Sequence, residues 1–222
     1  MQLKILWQLN IRRTHLQQEI AINYNMIDKI LTNLVYLFYP QNICAYTQKE
    51  EYFVTEEYKR LKEIIVDFDS EKSQIFRTSI IDSFGKDITL KNFKDLSLFD
   101  WEDRCFTFNL NIIENGELYT ISIYLSVLIP YYLINVQKGM IELWFSKSQI
   151  EELEKEKRET RKLTGLILDI ETIIENKFLY KKFPKELCNI IIPNVSFQDS
   201  TFGHFNMFNA YFNNVIIKDH EN

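Results

Sequence analysis

The side chains best suited to chemistry in this chain are carboxylates, and they cluster twice. Asp67 and Asp69 form a D-x-D in VDFDSE, and Asp100, Glu102 and Asp103 flank Trp101 in FDWEDR. A D-x-D ligates Mg²⁺ when further oxygen donors converge on it. Carboxylates grouped on one loop can polarise a water or hold a metal if a proton carrier stands beside them. None does here. His15, His204 and His220 are far apart and belong to no H-x-x-x-H or H-E-x-x-H pair. Gly85, Gly116, Gly139, Gly165 and Gly203 are isolated, so no G-x-G-x-x-G or P-loop can cradle a phosphate. The serines lack a G-x-S-x-G elbow. These patterns predict no catalytic site, no metal and no cofactor.

Each acidic cluster has a plainer reading. Asp67 and Asp69 fall where one helix hands over to the next, and Asp69 and Ser70 are natural N-caps. The 100–103 segment reads as an exposed acidic loop with one anchoring tryptophan. An aromatic anchor among charges is also the composition of a protein-binding hot spot. The candidate partner-binding residues are therefore Asp100, Trp101, Glu102 and Asp103. His204, between aromatics in FGHFN, is expected to be packed or hydrogen-bonded.

Composition narrows the classes further. The 222 residues are 46% hydrophobic and 14% aromatic, which excludes a disordered or low-complexity chain. A net charge of −5 disfavours general nucleic-acid binding and suits a basic partner. In Glu151–Lys162 the cations are interleaved with glutamates, which gives a solvated helix face and not a phosphate-binding stripe. Cys44, Cys105 and Cys188 are too widely spaced for a zinc site and odd in number, so reduced, buried thiols in a cytoplasmic protein are expected. The start of the chain has the wrong order of apolar and basic residues for a signal peptide. No charge occurs between Glu117 and Lys138, long enough for a membrane span. Its period-two alternation and Pro130 favour buried strands instead.

The elements that must position these residues follow from periodicity. A helix is predicted from Thr14, stopped by Pro40, with Thr14 and Gln17 as a capping box; residues 2–9 are ambiguous between strand and helix. Further helices are predicted from about Thr55, with Tyr58, Leu61, Ile64, Ile65 and Phe68 on one face, and from about Ser70. The latter buries Ile75, Phe76, Ile80 and Phe84, with Gly85 as its C-terminal cap. Residues 87–103 read as a loop. Strands are predicted at 106–113, 118–127, around Tyr132–Val136 and at 140–145, with turns at Asn115-Gly116 and Lys138-Gly139. Ser148 to Glu151 is a capping box opening a long helix to about Asn176. A short helix starts at Pro184, and the 195–217 tail adds a late strand. The predicted fold is one α+β domain over residues 1–222: N-terminal helices, a central antiparallel β-meander and a long C-terminal helix, the helices packing on one sheet face.

Two stretches carry a resemblance. LFYPQNICAYTQKEEYFVTEEYKRL, with Tyr39-Pro40 and Thr55-Glu56-Glu57-Tyr58, and KFPKELCNIIIPNVSF, with Pro184, Leu187, Ile192-Pro193 and Val195-Ser196, are similar to segments near the two ends of some bacterial immunity proteins. Such proteins are encoded beside antibacterial toxins, including those delivered by type VI secretion. The resemblance implies a non-catalytic chain that binds a cognate effector toxin and neutralises it by occlusion, without a membrane or nucleic-acid partner. Two other classes fit the residues: a scaffold or regulatory domain using helix 148–162 for coiled-coil contact, and a metal-dependent hydrolase built on Asp67, Asp69 and the Asp100–Asp103 loop.

Overall fold

The computed structural model describes residues 26–68, 70–87, 93–98, 102–114, 117–139, 146–148, 151 and 162–214. The architecture is α+β, with helices and a five-stranded mixed sheet. Helix α1 is helical over residues 26–35, followed by α2 (Lys49–Phe53), α3 (Glu56–Phe68) and α4 (Glu71–Asp87). The strands are β1 (Lys94–Asp95), β2 (Cys105–Glu114), β3 (Glu117–Ser126), β4 (Tyr131–Gly139) and β5 (Lys181–Lys182). Helix α5 (Leu163–Lys177) precedes β5, and α6 (Met207–Tyr211) follows a 3-10 turn at Lys185–Leu187. Among the described residues no helix is long and apolar enough to cross a membrane.

Contacts divide the chain into two compact units, Met1–Lys59 with Ile192–Phe205, and Arg60–Ile191 with Asn206–Asn222. In the first, Tyr39 packs its ring 5.3 Å from Phe197 and 5.0 Å from Phe205, all fully buried. Ser196 ties the same two segments together. Its Oγ accepts the Ala45 N–H at 2.7 Å, and its carbonyl accepts the Tyr52 hydroxyl at 2.9 Å. The segments around 39–52 and 196–205 therefore meet here, about 150 residues apart in sequence. Thr55 precedes α3 and caps it, its Oγ1 accepting the Tyr58 N–H at 3.3 Å.

In the second unit β2, β3 and β4 are sequential antiparallel neighbours, registered from Cys105↔Ser126 and from Leu118↔Gly139. β1 adds to the β2 edge, and β5 runs parallel beside β4. Alternation puts Phe106, Phe108, Leu110 and Ile112 on one face, all buried. Phe68 and Phe76 each lie 5.7 Å from Phe106, and Phe84 lies 6.4 Å from Phe108. Each ring taken fully out of water contributes about 1.5–3 kcal/mol, which makes this face a main part of the core. The other face is also covered: Tyr124 meets Phe208 at 5.4 Å and Phe212 at 6.3 Å. Packing on both faces replaces the expected packing on one, because a helix in the tail supplies the second layer.

Other expectations change for local reasons. On the predicted α3 face Leu61 and Ile65 are buried, while Tyr58, Ile64 and Phe68 are half-buried. In α4, Ile80 and Phe84 are buried, but Ile75 is 68% exposed and Gly85 lies inside the helix, which runs on to Asp87. The 87–103 segment is not all loop, since β1 forms within it. Lys138 and Gly139 pair with Tyr119 and Leu118 as strand residues, so no turn occurs there. Helix α5 begins at Leu163, where Lys162 has extended backbone at ψ 147°. The element after Pro184 is a single 3-10 turn, and the tail forms α6 instead of a strand. Asn206 and Asn209 cap α6 reciprocally at 2.9 and 3.2 Å, which selects helix over the strand that the aromatic run suggests. Residues 2–9, Thr14 with Gln17, Asn115-Gly116, the strand at 140–145, and the full Ser148–Glu151 box and most of helix 148–162 lie outside the described residues.

Candidate functional site

The predicted partner-binding loop is closed by the chain around it. Leading in, the Asp95 carboxylate accepts the Ser97 N–H at 3.0 Å and the Ser97 hydroxyl at 2.7 Å, and pairs with Arg77. The Leu96 N–H reaches the Thr107 carbonyl at 2.8 Å, and the Ser97 Oγ accepts the Thr107 N–H at 3.0 Å. At the tip, the Asp103 N–H closes on the Leu98 carbonyl at 3.4 Å. Asp100 and Trp101 lie outside the described residues. Glu102 takes the left-handed region at φ +57°, and its carboxylate pairs with Lys62 of α3 at 3.2 Å. Glu102 and Asp103 are both half-buried, not fully exposed as expected of a solvated loop.

Arg104 is the residue that sequence reasoning missed. It is fully buried, the largest such side chain described. Its Nη1 donates to the Glu102 carbonyl at 2.8 Å, its Nε and Nη2 to the Asn209 carbonyl at 3.1 and 2.6 Å, and its Nη2 also to Asn214 Oδ1 at 3.0 Å. Its backbone N–H donates to the Phe212 carbonyl at 2.8 Å, and its carbonyl accepts the Val127 N–H at 2.8 Å. A guanidinium has five donors in a planar fork, so it can hold several chain segments at once. The available signal was a lone arginine closing an acidic cluster just before a strand.

Burial pushes the Asp103 carboxyl up to about 6, against the pull of the neighbouring Arg104 charge. The carboxylate is thus short of solvation while remaining mostly ionised near neutral pH. Burial likewise pushes the Cys105 thiol up to about 12, with only a weak contact from its sulfur to Thr107 at 3.4 Å. Cys44, Cys105 and Cys188 are all free and buried.

The other candidates do not converge. Asp67 closes α3, its carbonyl accepting the Ser70 N–H at 3.1 Å, and Asp69 is outside the described residues. Ser70 sits at the N-cap position of α4, yet its hydroxyl makes no capping bond. His204 is exposed in a turn, its N–H bonded to the Thr201 carbonyl, while the neighbouring Phe205 carries the packing. His15 and His220 are outside the described residues. Among the described residues no group of three or more His, Cys, Asp or Glu side chains is placed to hold a metal. Comparison with protein families, curated proteins and solved structures finds no match for this chain, so its own geometry is what bears on function.

Proposed function

We propose that this chain is a non-catalytic immunity protein that binds one cognate secreted bacterial toxin in the cytosol and neutralises it by occlusion. The observation that carries the reading is Asp103, an under-solvated carboxylate on a loop anchored by buried Arg104. Such a group has already lost part of its hydration, so a cation from a partner meets a smaller desolvation cost than at a solvated carboxylate. The anchored backbone also reduces the ordering entropy of association. Asp100 and Trp101 of the same segment would add charge and an aromatic anchor, and the β-meander beneath would act as the platform. The family resemblance of 37–61 and 182–197 supports the same class.

The test is co-expression with the neighbouring gene product, followed by binding and growth protection. Wild type is expected to protect. Trp101→Ala should weaken binding by about 2 kcal/mol, roughly 30-fold. A folded Glu102→Lys, Asp103→Lys variant that protects as well as wild type removes this loop from the interface. A neighbouring product that is not toxic removes the immunity reading altogether.

A further inference from the structure

Strand β4 is nine residues long, but β5 covers only its start, pairing at Tyr131 and Tyr132. The Phe183 N–H donates to the Tyr132 carbonyl at 2.7 Å, and the chain then enters the 3-10 turn at Lys185–Leu187, so the pairing stops before Ile134. Among the described residues no strand pairs with the outer side of β4 beyond Tyr132. Backbone groups along a strand alternate between its two sides. The Tyr132 carbonyl points outward to β5, so Ile134, Val136 and Lys138 turn their N–H and C=O groups the same way. Each of these three residues presents a donor and an acceptor on the open side.

Natural sheets blunt an open edge with proline, a bulge or charge. Ile134–Gln137 has none of these. Its register with β3 is unbroken from Leu118↔Gly139 to Leu125↔Tyr132, and the adjoining charge, Lys138, is paired with Glu117. Ile134, Val136 and Gln137 are half-buried and Lys138 is exposed, so the edge can be reached from solvent. Such an edge is a template for a further strand, with main-chain hydrogen bonds as the recognition element.

Register identifies the strand that fits. Two copies of β4 set antiparallel about Val136 place each Val136 opposite the other, Ile134 opposite Lys138, and Asn135 opposite Gln137. Every outward N–H of Ile134, Val136 and Lys138 on both chains then meets a carbonyl. The two valines meet as β-branched neighbours, and each Lys138 lies beside an isoleucine and not beside a second cation. Moving the centre to Ile134 drives the second copy into β5, and moving it to Lys138 sets like charges opposite one another.

We infer that the open edge of β4 joins a second copy of this chain, strand to strand, in a two-fold dimer centred on Val136. The two sheets become one continuous sheet. The acidic loop follows β1 at the opposite edge, so the dimer leaves that loop clear. A junction confined to Ile134–Lys138 is small beside a standard interface, so association is weak and concentration-dependent.

The test is sedimentation equilibrium of the purified full chain from about 5 to about 500 µM, combined with cysteine cross-linking. The weight-average mass is expected to rise toward twice that of one chain. Val136→Pro removes an outward N–H and leaves the β3 ladder whole, so the variant should stay folded and monomeric throughout the series. Val136→Cys should give a disulfide-linked dimer under mild oxidation, because directly opposed antiparallel positions lie about 5.5 Å apart at Cα, within disulfide reach. Cys44, Cys105 and Cys188 are buried, so wild type serves as the blank. Leu168→Cys, at an exposed position on α5, reports random collision, and Val136→Cys should cross-link at least about tenfold faster. If Val136→Pro fails to fold, Ile134→Cys chains mixed with Lys138→Cys chains should cross-link to each other, while neither does so alone. A wild type that stays monomeric across the series, a dimer that survives in folded Val136→Pro, cross-linking at Val136→Cys no faster than at Leu168→Cys, or no preference for the mixed pair overturns the inference.

Discussion

Two regions of the second unit treat buried polar groups in opposite ways. Around Arg104, a fully buried charge finds acceptors that include the Glu102 and Asn209 carbonyls and the Asn214 amide oxygen. At the α3–α4 corner, the oxygens of Ser70 and Ser73 are buried and meet none. The first arrangement converts polar groups into a fastening between the acidic loop and α6. The second leaves hydrogen-bonding capacity unspent. A bonded buried group holds structure, whereas an unbonded one carries an uncompensated desolvation cost.

The contrast can be broken at either end. Arg104→Leu should cost about 3–5 kcal/mol, because it strands these acceptors and leaves a cavity. Urea unfolding measures this, and Arg104→Lys should fall between, having kept the charge but not the fork. Wild-type stability in Arg104→Leu would show that the fastening is dispensable. A bonded and an unbonded serine provide the next comparison. Ser196 is fully buried and bonded to Ala45, so Ser196→Ala should lose about 1–2 kcal/mol.

Asp103 links stability to pH. Its carboxyl titrates at about 6 in the folded chain, raised from an ordinary value of 3.8. The folded state therefore holds this proton more tightly than the unfolded state. The resulting stabilisation is fully present below about pH 4 and is lost as pH rises toward 6. Because the group is only half-buried, solvent screening limits the effect to about 1 kcal/mol. Asp103→Asn should flatten that slope and raise stability at pH 7. An unchanged slope in the variant would assign the titration to another group. The smallest effect has the opposite sign to Ser196: Ser73→Ala should leave stability unchanged or raise it by less than about 1 kcal/mol. A clear loss on thermal unfolding would mean that its hydroxyl has a partner after all.

Sequence patterning disclosed the long elements more readily than the small ones. The Phe106–Ile112 alternation and the Leu61–Ile65 spacing are strong because a wide apolar face must be buried whole. β1 has only two residues, too few for any period. Helix α6 lies in an aromatic run that reads as strand, and only the Asn206–Asn209 cap distinguishes it. Gly85 reads as a stop, yet an added Cβ there would meet nothing within 4 Å and the helix continues through it. At the candidate site, Glu102 and Asp103 were visible as charges. Their neighbours were not: Lys62 lies 40 residues away, and the Asn209 carbonyl 105 residues from Arg104. A backbone carbonyl has no sequence signature, so the burial of Arg104 was hidden for the same reason. Asp67 was legible as an acid, but the cavity it lines depends on Phe178 and Tyr180 from beyond α5.

The Arg104–Asn209 fastening has a consequence for synthesis. Chains emerge from the ribosome N-terminus first, and contacts this distant in sequence close late. While residues 209–214 remain in the exit tunnel, Arg104 has neither the Asn209 carbonyl nor the Asn214 amide to hold it. The acidic loop therefore stays unfastened on the nascent chain until residues 209–214 have also emerged.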